Sequence, residues 1–315
     1  MRVPSPRPFL KWAGGKTQLL PALVRMVPRK VREGEVPVYV EPFVGGGAVY
    51  FHFNSRFRFR ECHIFDVNEE IFLAYTVVRD RVDELIEVLQ ELAGEYLSRD
   101  GAGRREYYRE VRDAFNNRRI TIARGQFHPS WVERAARLIF LNRTCYNGLF
   151  RVNSRGEFNV PYGRYRNPLI VNEPLLRQDS LLLRNTSVHL GDFSRSFPFM
   201  SEETFAYFDP PYRPISRTAR FTAYSQDGFS DAEQERLARF FAACDAKGAL
   251  LMLSNSDPRN TDPCDDFFDR LYGDFSITRV PARRAINSDG AGRGSISEVV
   301  VTNYPIGRSG TLSLE

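Results

Sequence analysis

The chain has 315 residues, of which 42% are apolar and 26% charged. This balance is ordinary for a globular protein, supplies a full core, and suits one large domain or a domain carrying an insertion. A net charge of +5 and a pI near 9.1 favour a polyanionic partner. The four cysteines, Cys62, Cys145, Cys244 and Cys264, stand far apart without C-x-x-C spacing, and only four histidines accompany them. That argues against a zinc site or any other metal and for free thiols in a reducing cytoplasm. No apolar run spans a bilayer and the N-terminus lacks the apolar segment of a signal peptide, so no membrane partner is expected.

In chain order, the first stretch with chemistry is Phe9-Leu10-Lys11-Trp12-Ala13-Gly14-Gly15-Lys16-Thr17. Gly-Lys-Thr invites a phosphate-loop reading. That motif needs a glycine five places before Gly15, where Leu10 stands, and no strand leads into it. What remains is a tight glycine turn flanked by two lysines and an indole. Next, Pro37-Val38-Tyr39-Val40-Glu41 predicts a strand that enters Pro42-Phe43-Val44-Gly45-Gly46-Gly47 and then a helix. This is the strand–loop–helix of a nucleotide-binding α/β unit. Tyr50 occupies the third glycine position of the dinucleotide fingerprint, so a pyrophosphate is disfavoured. A looser glycine bend suits a ligand without phosphate, such as an adenosine carrying an amino acid.

A second strand, Cys62-His63-Ile64-Phe65, ends at Asp66, about twenty residues past the glycines, where an acid accepts from both ribose hydroxyls. Asp66 alternatively caps the following helix, but Asn68 serves that purpose equally and frees the carboxylate. From Glu69 to Phe127 the pattern is helical, with Ile71, Tyr75, Val78, Leu85, Ile86 and Leu89 at helical spacing and breaks expected at Gly94 and at Gly101-Ala102-Gly103. Arginines from Arg104 to Arg124, interleaved with Tyr107 and Tyr108, suit either phosphate contact or a salt-bridged solvated face. With a further helix from Ser130 to Leu141, the block reads as a helical insertion between sheet units. It ends in a ribbon, Asn142 to Tyr165, where Asn147-Gly148 and Arg155-Gly156 mark tight turns. A ribbon of arginine, asparagine and aromatic side chains suits base reading in a major groove, the bland alternative being a long structural loop.

The stretch Ser187-Val188-His189-Leu190 predicts a short strand, ending in a turn with Asp192 and Phe193. The apolar run Thr204-Phe205-Ala206-Tyr207-Phe208 predicts a buried strand that runs straight into Asp209-Pro210-Pro211-Tyr212. Two prolines fix φ, remove two N–H donors and stop pairing. The turn therefore offers a carboxylate, an uncompeted carbonyl and a ring, which suits a planar exocyclic amine. A capped surface turn is the alternative. The following loop, Arg213 to Tyr224, is basic and aromatic, as a clamp on a nucleic-acid strand should be, with Arg217 and Tyr224 its candidate contacts. Ser230-Asp231-Ala232-Glu233 is a capping box opening a helix through Leu237, Phe240, Phe241 and Cys244, closed at Gly248. Strands are predicted at Ala249–Leu253, Phe275–Val280 and Glu298–Tyr304. The glycine-rich basic loop from Arg283 to Gly294 is a candidate for DNA backbone contact.

Together these stretches resemble the DNA adenine methylase family of S-adenosylmethionine-dependent methyltransferases along nearly the whole chain. The carrying residues are Phe9 to Lys16, Glu41 to Gly47, the ribbon from Asn142 to Tyr165, Asp209 to Tyr212, and Phe221-Thr222-Ala223-Tyr224. The resemblance implies an α/β, Rossmann-like methyltransferase sheet, residues 1–68 and 166–315, with an inserted helical target-recognition domain, residues 69–165. It implies S-adenosyl-L-methionine as cofactor and double-stranded DNA as partner. Trp12, Lys16, Asp66 and Asp209 match cofactor-binding positions, Phe43, Gly45 and Gly47 line the cofactor loop, and Asp192 and Phe193 face the cofactor adenine. The ribbon looks like the recognition hairpin of members that methylate adenine in GATC, where Lys11, Tyr146, Asn147, Leu149, Arg151 and Pro161 match DNA-contacting positions. Thr144-Cys145 is a departure that leaves the site open. Asp209, Pro210 and Tyr212 are the expected catalytic residues. The expected assembly is a monomer, with any cognate restriction endonuclease acting separately. N4-cytosine methylation fits the same acceptors, although serine more often stands first in such motifs. A non-catalytic DNA-binding protein on the same fold is the rival of another class.

Overall fold

The computed structural model describes residues 5–117, 127–213, 229–282 and 296–306. Among these, β1 (Val38–Glu41), β2 (Glu61–Asp66), β3 (Thr186–Leu190), β4 (Thr204–Phe208), β5 (Leu250–Ser256), β6 (Ser276–Ala282) and β7 (Ile296–Thr302) form one sheet in the order β3-β2-β1-β4-β5-β7-β6. β1 runs parallel to β2 and β4, and β4 parallel to β5, while β7 lies antiparallel between β5 and β6. The chain has the α/β, Rossmann-like class expected of it. All five residues of β4 are buried, as a central parallel strand covered on both faces requires. Strand order reverses between β1 and β4. The carboxyl ends of those two strands, at Glu41 and at Asp209, are therefore where an open α/β sheet receives a ligand.

The chain divides into two compact units. The first comprises residues 1–15, 44–55 and 65–191, the second residues 16–43, 56–64 and 192–315. The first holds the glycine loop and the helical block: α4 (Glu69–Asp80), α5 (Val82–Leu97), α6 (Gly101–Asn117), α7 (Ser130–Thr144) and α8 (Glu173–Leu182), numbered after α1 (Leu20–Met26), α2 (Arg29–Arg32) and α3 (Ala48–Arg56). Asn68 caps α4, its side chain accepting from the Glu70 N–H at 2.9 Å, as its residue type predicts. α7 is buried on nearly every face, which fits the hub of a bundle. It even buries Arg134, whose guanidinium grips the Glu70 carboxylate, donates to the Phe115 carbonyl at 2.8 Å and stacks on the Phe115 ring. The second unit carries β1, β4–β7, most of β2, α9 (Asp231–Asp245) and α10 (Phe267–Leu271). No helix among the described residues is long and apolar enough to cross a membrane.

The helical block breaks at one of the two places glycine suggested. Gly94 lies inside α5 with no break, while Gly101 to Gly103 open α6 just past a break. That break lies around Ser98–Asp100, where the Asp100 carboxylate accepts from the Gly103 N–H at 2.8 Å and caps α6, and another falls at Arg81, with ψ 38°. An exposed glycine with open space around it costs a helix only about 1 kcal/mol, which tertiary packing of Leu89, Ala93 and Tyr96 outweighs.

Two glycines in opposite circumstances test this account. Gly47 has φ +75° and its absent Cβ would collide with the Tyr75 hydroxyl and the Phe51 ring. Gly47→Ala is expected to destabilise the protein by about 2–4 kcal/mol in urea titration. Gly94→Ala, at an open helical position, is expected to stabilise it by about 0.5–1 kcal/mol.

Candidate active site

The apolar run of β4 delivers Asp209 to the sheet's carboxyl edge, and Pro210-Pro211 end the strand there. Lys16 Nζ lies 2.6 Å from Asp209 Oδ1, with the lysine side chain 4% and the aspartate 20% exposed. The same ammonium donates to the Tyr212 hydroxyl at 3.0 Å and lies 4.4 Å from the centre of that ring. The Tyr212 hydroxyl in turn donates to Glu298 Oε1 at 2.6 Å. Burial works against the Lys16 charge, but Asp209, Tyr212 and Glu298 outweigh it and hold the ammonium above its ordinary pKa. Burial raises the Asp209 carboxyl, with Lys16 and the Ser254 hydroxyl opposing.

Neighbouring bonds hold the turn. The Gln234 amide donates to the Pro211 carbonyl at 3.2 Å; among the described residues none donates to that of Pro210. Arg213 closes the turn by bridging Asp231 and Asp265, each at 2.7 Å, while stacking on Phe267. At the end of β1, the buried Glu41 accepts from the Tyr39 hydroxyl at 2.5 Å, and burial pushes its carboxyl well above the usual range. Asp192 and Phe193 belong to this unit too, and both are committed. Arg236 grips the two Asp192 oxygens at 2.9 and 2.7 Å, which holds that carboxyl down at about 2. Its guanidinium lies 4.0 Å from the centre of the buried Phe193 ring, which also meets Phe43 at 5.4 Å.

In the first unit, the glycine loop folds onto the acid that ends β2. Gly45 N–H donates to Asp66 Oδ2 at 2.9 Å and Asn68 N–H to Oδ1 at 2.8 Å. Gly47 N–H is spent on the Val44 carbonyl at 2.7 Å. These two loop donors are turned inward, onto Asp66 and Val44. The spare lone pairs of Asp66 suit the two hydroxyls of a ribose. Burial raises the Asp66 carboxyl to about 6, against the backbone donors that favour its ionised form. Trp12 lies along the loop so closely that a Cβ on Gly46 would stand 2.8 Å from its own Cβ. It also stacks on Phe150 at 5.1 Å and 23°.

The ribbon is a hairpin with bridges Cys145–Tyr162 and Val152–Phe158 and a turn closed by Gly156 N–H on the Asn153 carbonyl. Asn147 and Gly148 both take positive φ, 55° and 65°, so the Asn-Gly turn forms where its residue types place it. Tyr146 and Asn147 are exposed, Leu149 is half-buried, and Pro161 accepts from the Tyr146 N–H at 2.8 Å. Arg151 is exposed and donates to Asn159 Oδ1 at 2.7 Å. Lys11 joins this cluster, its ammonium 5.4 Å from the centre of the Tyr165 ring. Arg217 and Tyr224 lie outside the described residues, as does the loop from Arg283 to Gly294.

Three side chains central to these clusters escaped the sequence reading. Glu298 hides in a strand, Arg236 in a charged helix face, and Asn142 at a helix end. Buried Asn142 clamps two segments, accepting from Lys11 N–H and donating to the Lys11 and Gly148 carbonyls at 2.8, 2.8 and 2.9 Å. Its signal is a polar residue inside an apolar helical run, the kind that is buried only with its bonds satisfied.

Comparison with known proteins shows the family. A family profile described as D12 class N6 adenine-specific DNA methyltransferase matches residues 12–286. The chain is 47% identical over 299 residues to the type II methyltransferase M.MjaIII of Methanocaldococcus jannaschii, covering 95% of this chain and 99% of that one. It is 39% identical to the type II methyltransferase M1.LlaDCHI of Lactococcus lactis subsp. cremoris, over 95% of each. With the DNA adenine methylase of Escherichia coli K12 it shares 32% identity over 95% of this chain and 96% of that one.

Breaking the buried pair from one side should expose its coupling. Lys16→Met leaves an unpaired carboxylate and is expected to cost about 3 kcal/mol in urea unfolding. Adding Asp209→Asn should recover the loss to within about 1 kcal/mol. Additive losses would show that the two charges do not depend on each other.

Proposed function

Because the chain belongs to the D12 class of N6 adenine-specific DNA methyltransferases, we propose that it methylates adenine within GATC, using Asp209, Pro210 and Tyr212 on a base turned out of the duplex. An adenine inside a duplex presents its amine to other bases, so extrusion comes first, at about a few kcal/mol. Leu149, an apolar side chain on the hairpin, is the wedge that helps open the stack, and Arg151 reads a guanine. Tyr146, Asn147, Pro161 and Lys11 complete the duplex contacts, with Arg217 and Tyr224 carried over from the sequence.

Tyr212 stacks on the extruded adenine. The Asp209 carboxylate and the Pro210 carbonyl accept the two N6 hydrogens, which draws the nitrogen from planar toward tetrahedral and localises its lone pair. Acceptors set in place beforehand need no rearrangement as charge develops, and positioning the amine replaces the need for a strong base. Lys16 supports this by favouring the ionised, acceptor form of the carboxyl against the burial that raises it. S-adenosylmethionine supplies an electrophilic methyl group, and we assign its ribose to Asp66 and its approach to the bend at Gly45 and Gly47 beside Trp12.

The carrying observation is the strand-end turn itself: an acid paired with a buried lysine at 2.6 Å, followed by a carbonyl that no described residue uses. The hairpin's likeness to GATC-reading members supports the site, and the type II names of two relatives support a separately acting restriction endonuclease as companion.

Labelled S-adenosylmethionine with duplexes holding one GATC, a scrambled site or a pre-methylated adenine tests this directly. Label should enter only the first, on the adenine amine. Label on cytosine or equal labelling of the scrambled duplex contradicts it. Asp209→Ala is expected to abolish transfer while retaining part of the cofactor affinity. Because Asp66 titrates near 6, above the ordinary aspartate value, its neutral form predominates below that pH and offers fewer acceptor sites. Cofactor affinity by calorimetry should therefore weaken as pH falls through about 6, and Asp66→Asn should bind weakly with a flat profile.

A further inference from the structure

Glu298 has no part in the assignments above. It lies on β7, opposite Ser256 of β5 and Val280 of β6. The residue is 9% exposed. Its Oε1 takes the Tyr212 hydroxyl proton at 2.6 Å, and its buried Oε2 has no hydrogen-bond partner among the described residues. Tyr212, by contrast, is 39% exposed. Its ring reaches outward while its hydroxyl is held on both sides, donating to Glu298 and accepting from Lys16 Nζ at 3.0 Å.

The two prolines of the turn restrain the backbone that carries Tyr212, but they do not fix the torsions of its side chain. A ring that is to lie flat on a base needs those torsions set as well. A tether at the hydroxyl, the atom farthest from the backbone, sets them. Lys16 alone cannot do so, because a lysine is long and its ammonium also answers to Asp209. A strand-borne carboxylate supplies a rigid second anchor. A buried carboxyl with one oxygen unpartnered is otherwise a net cost to the fold.

We propose that Glu298 is a positioning residue for methyl transfer: acting through the Tyr212 hydroxyl, it holds the ring at the angle on which the extruded base stacks. This rests on the reading that Tyr212 meets the base.

The test uses the full chain, unmethylated plasmid DNA and tritiated S-adenosylmethionine, with melting temperature recorded for every variant. Glu298→Ala should lower kcat about tenfold while leaving KM for the cofactor within about twofold, because a charge-assisted hydrogen bond that orients the acceptor is lost. Glu298→Gln keeps an acceptor for the hydroxyl and should return kcat to within about threefold of native. Tyr212→Phe should itself lower kcat about tenfold, and Glu298→Ala added to it should cost less than about twofold more. The proposal is overturned if Glu298→Ala or Tyr212→Phe turns over at the native kcat, if Glu298→Gln fails as badly as the alanine variant, or if Glu298→Ala costs the same factor with and without the Tyr212 hydroxyl. Should Glu298→Ala not fold, the glutamine and phenylalanine variants decide by the same criteria. A native protein that methylates no adenine in the plasmid contradicts the proposed function itself, a result distinct from any of these.

Discussion

A lysine ammonium and an aspartate carboxylate 2.6 Å apart, almost out of reach of water, hold the second unit's chemistry together. Away from bulk solvent their attraction is strong, and so is the cost of either charge alone. Each therefore obliges the other to stay. Lys16 arrives on a segment that precedes α1, and Asp209 on the buried strand β4. The pair consequently joins two distant stretches of chain at the edge where the sheet order reverses. Around it the anchors are of the same kind: Arg213 between two aspartates, Tyr212 between Lys16 and Glu298, Glu41 on the Tyr39 hydroxyl. A flexible turn would present its acceptors in many orientations; this one is restrained by prolines within and by charges outside.

The strand-end acids show how environment separates residues that look alike. Asp66 and Asp192 both follow short strands. Among the described residues Asp66 is met by backbone N–H groups, and burial raises it to about 6. Asp192 is gripped by Arg236, which drives it down to about 2. One carboxylate organises the glycine loop through backbone donors. The other already has both oxygens in a bidentate pair and a cation stacked on the adjacent ring. A ligand amine at Asp192 would compete with a guanidinium.

Much of this was legible in the residues. All seven strands fall where alternation, β-branching and continuous apolar runs placed them, because a buried parallel sheet leaves little choice of composition. Asn68 as a cap and Asn147-Gly148 as a turn follow from local side-chain and backbone preferences, which sequence carries directly. The break expected at Gly94 is absent because glycine is only a weak destabiliser, and packing across the bundle decides. Lys16 read as one of two lysines flanking a glycine turn; its burial depends on Asp209 and Glu298, which only the fold brings near. Glu298 itself was invisible for the same reason. A glutamate in a run of valines signals a buried acid, but not which hydroxyl it serves.

The claim at the centre is that the Asp209 carboxylate and the Pro210 carbonyl hold the amine of an extruded adenine. A crystal structure of the chain with a non-reactive S-adenosylmethionine analogue and a GATC duplex tests it most directly. The account predicts an adenine outside the helix, its amino nitrogen within hydrogen-bond distance of both oxygens and its face on the Tyr212 ring. An adenine outside the helix whose amine meets neither oxygen, with Asp209 still closed on Lys16 alone, would contradict it.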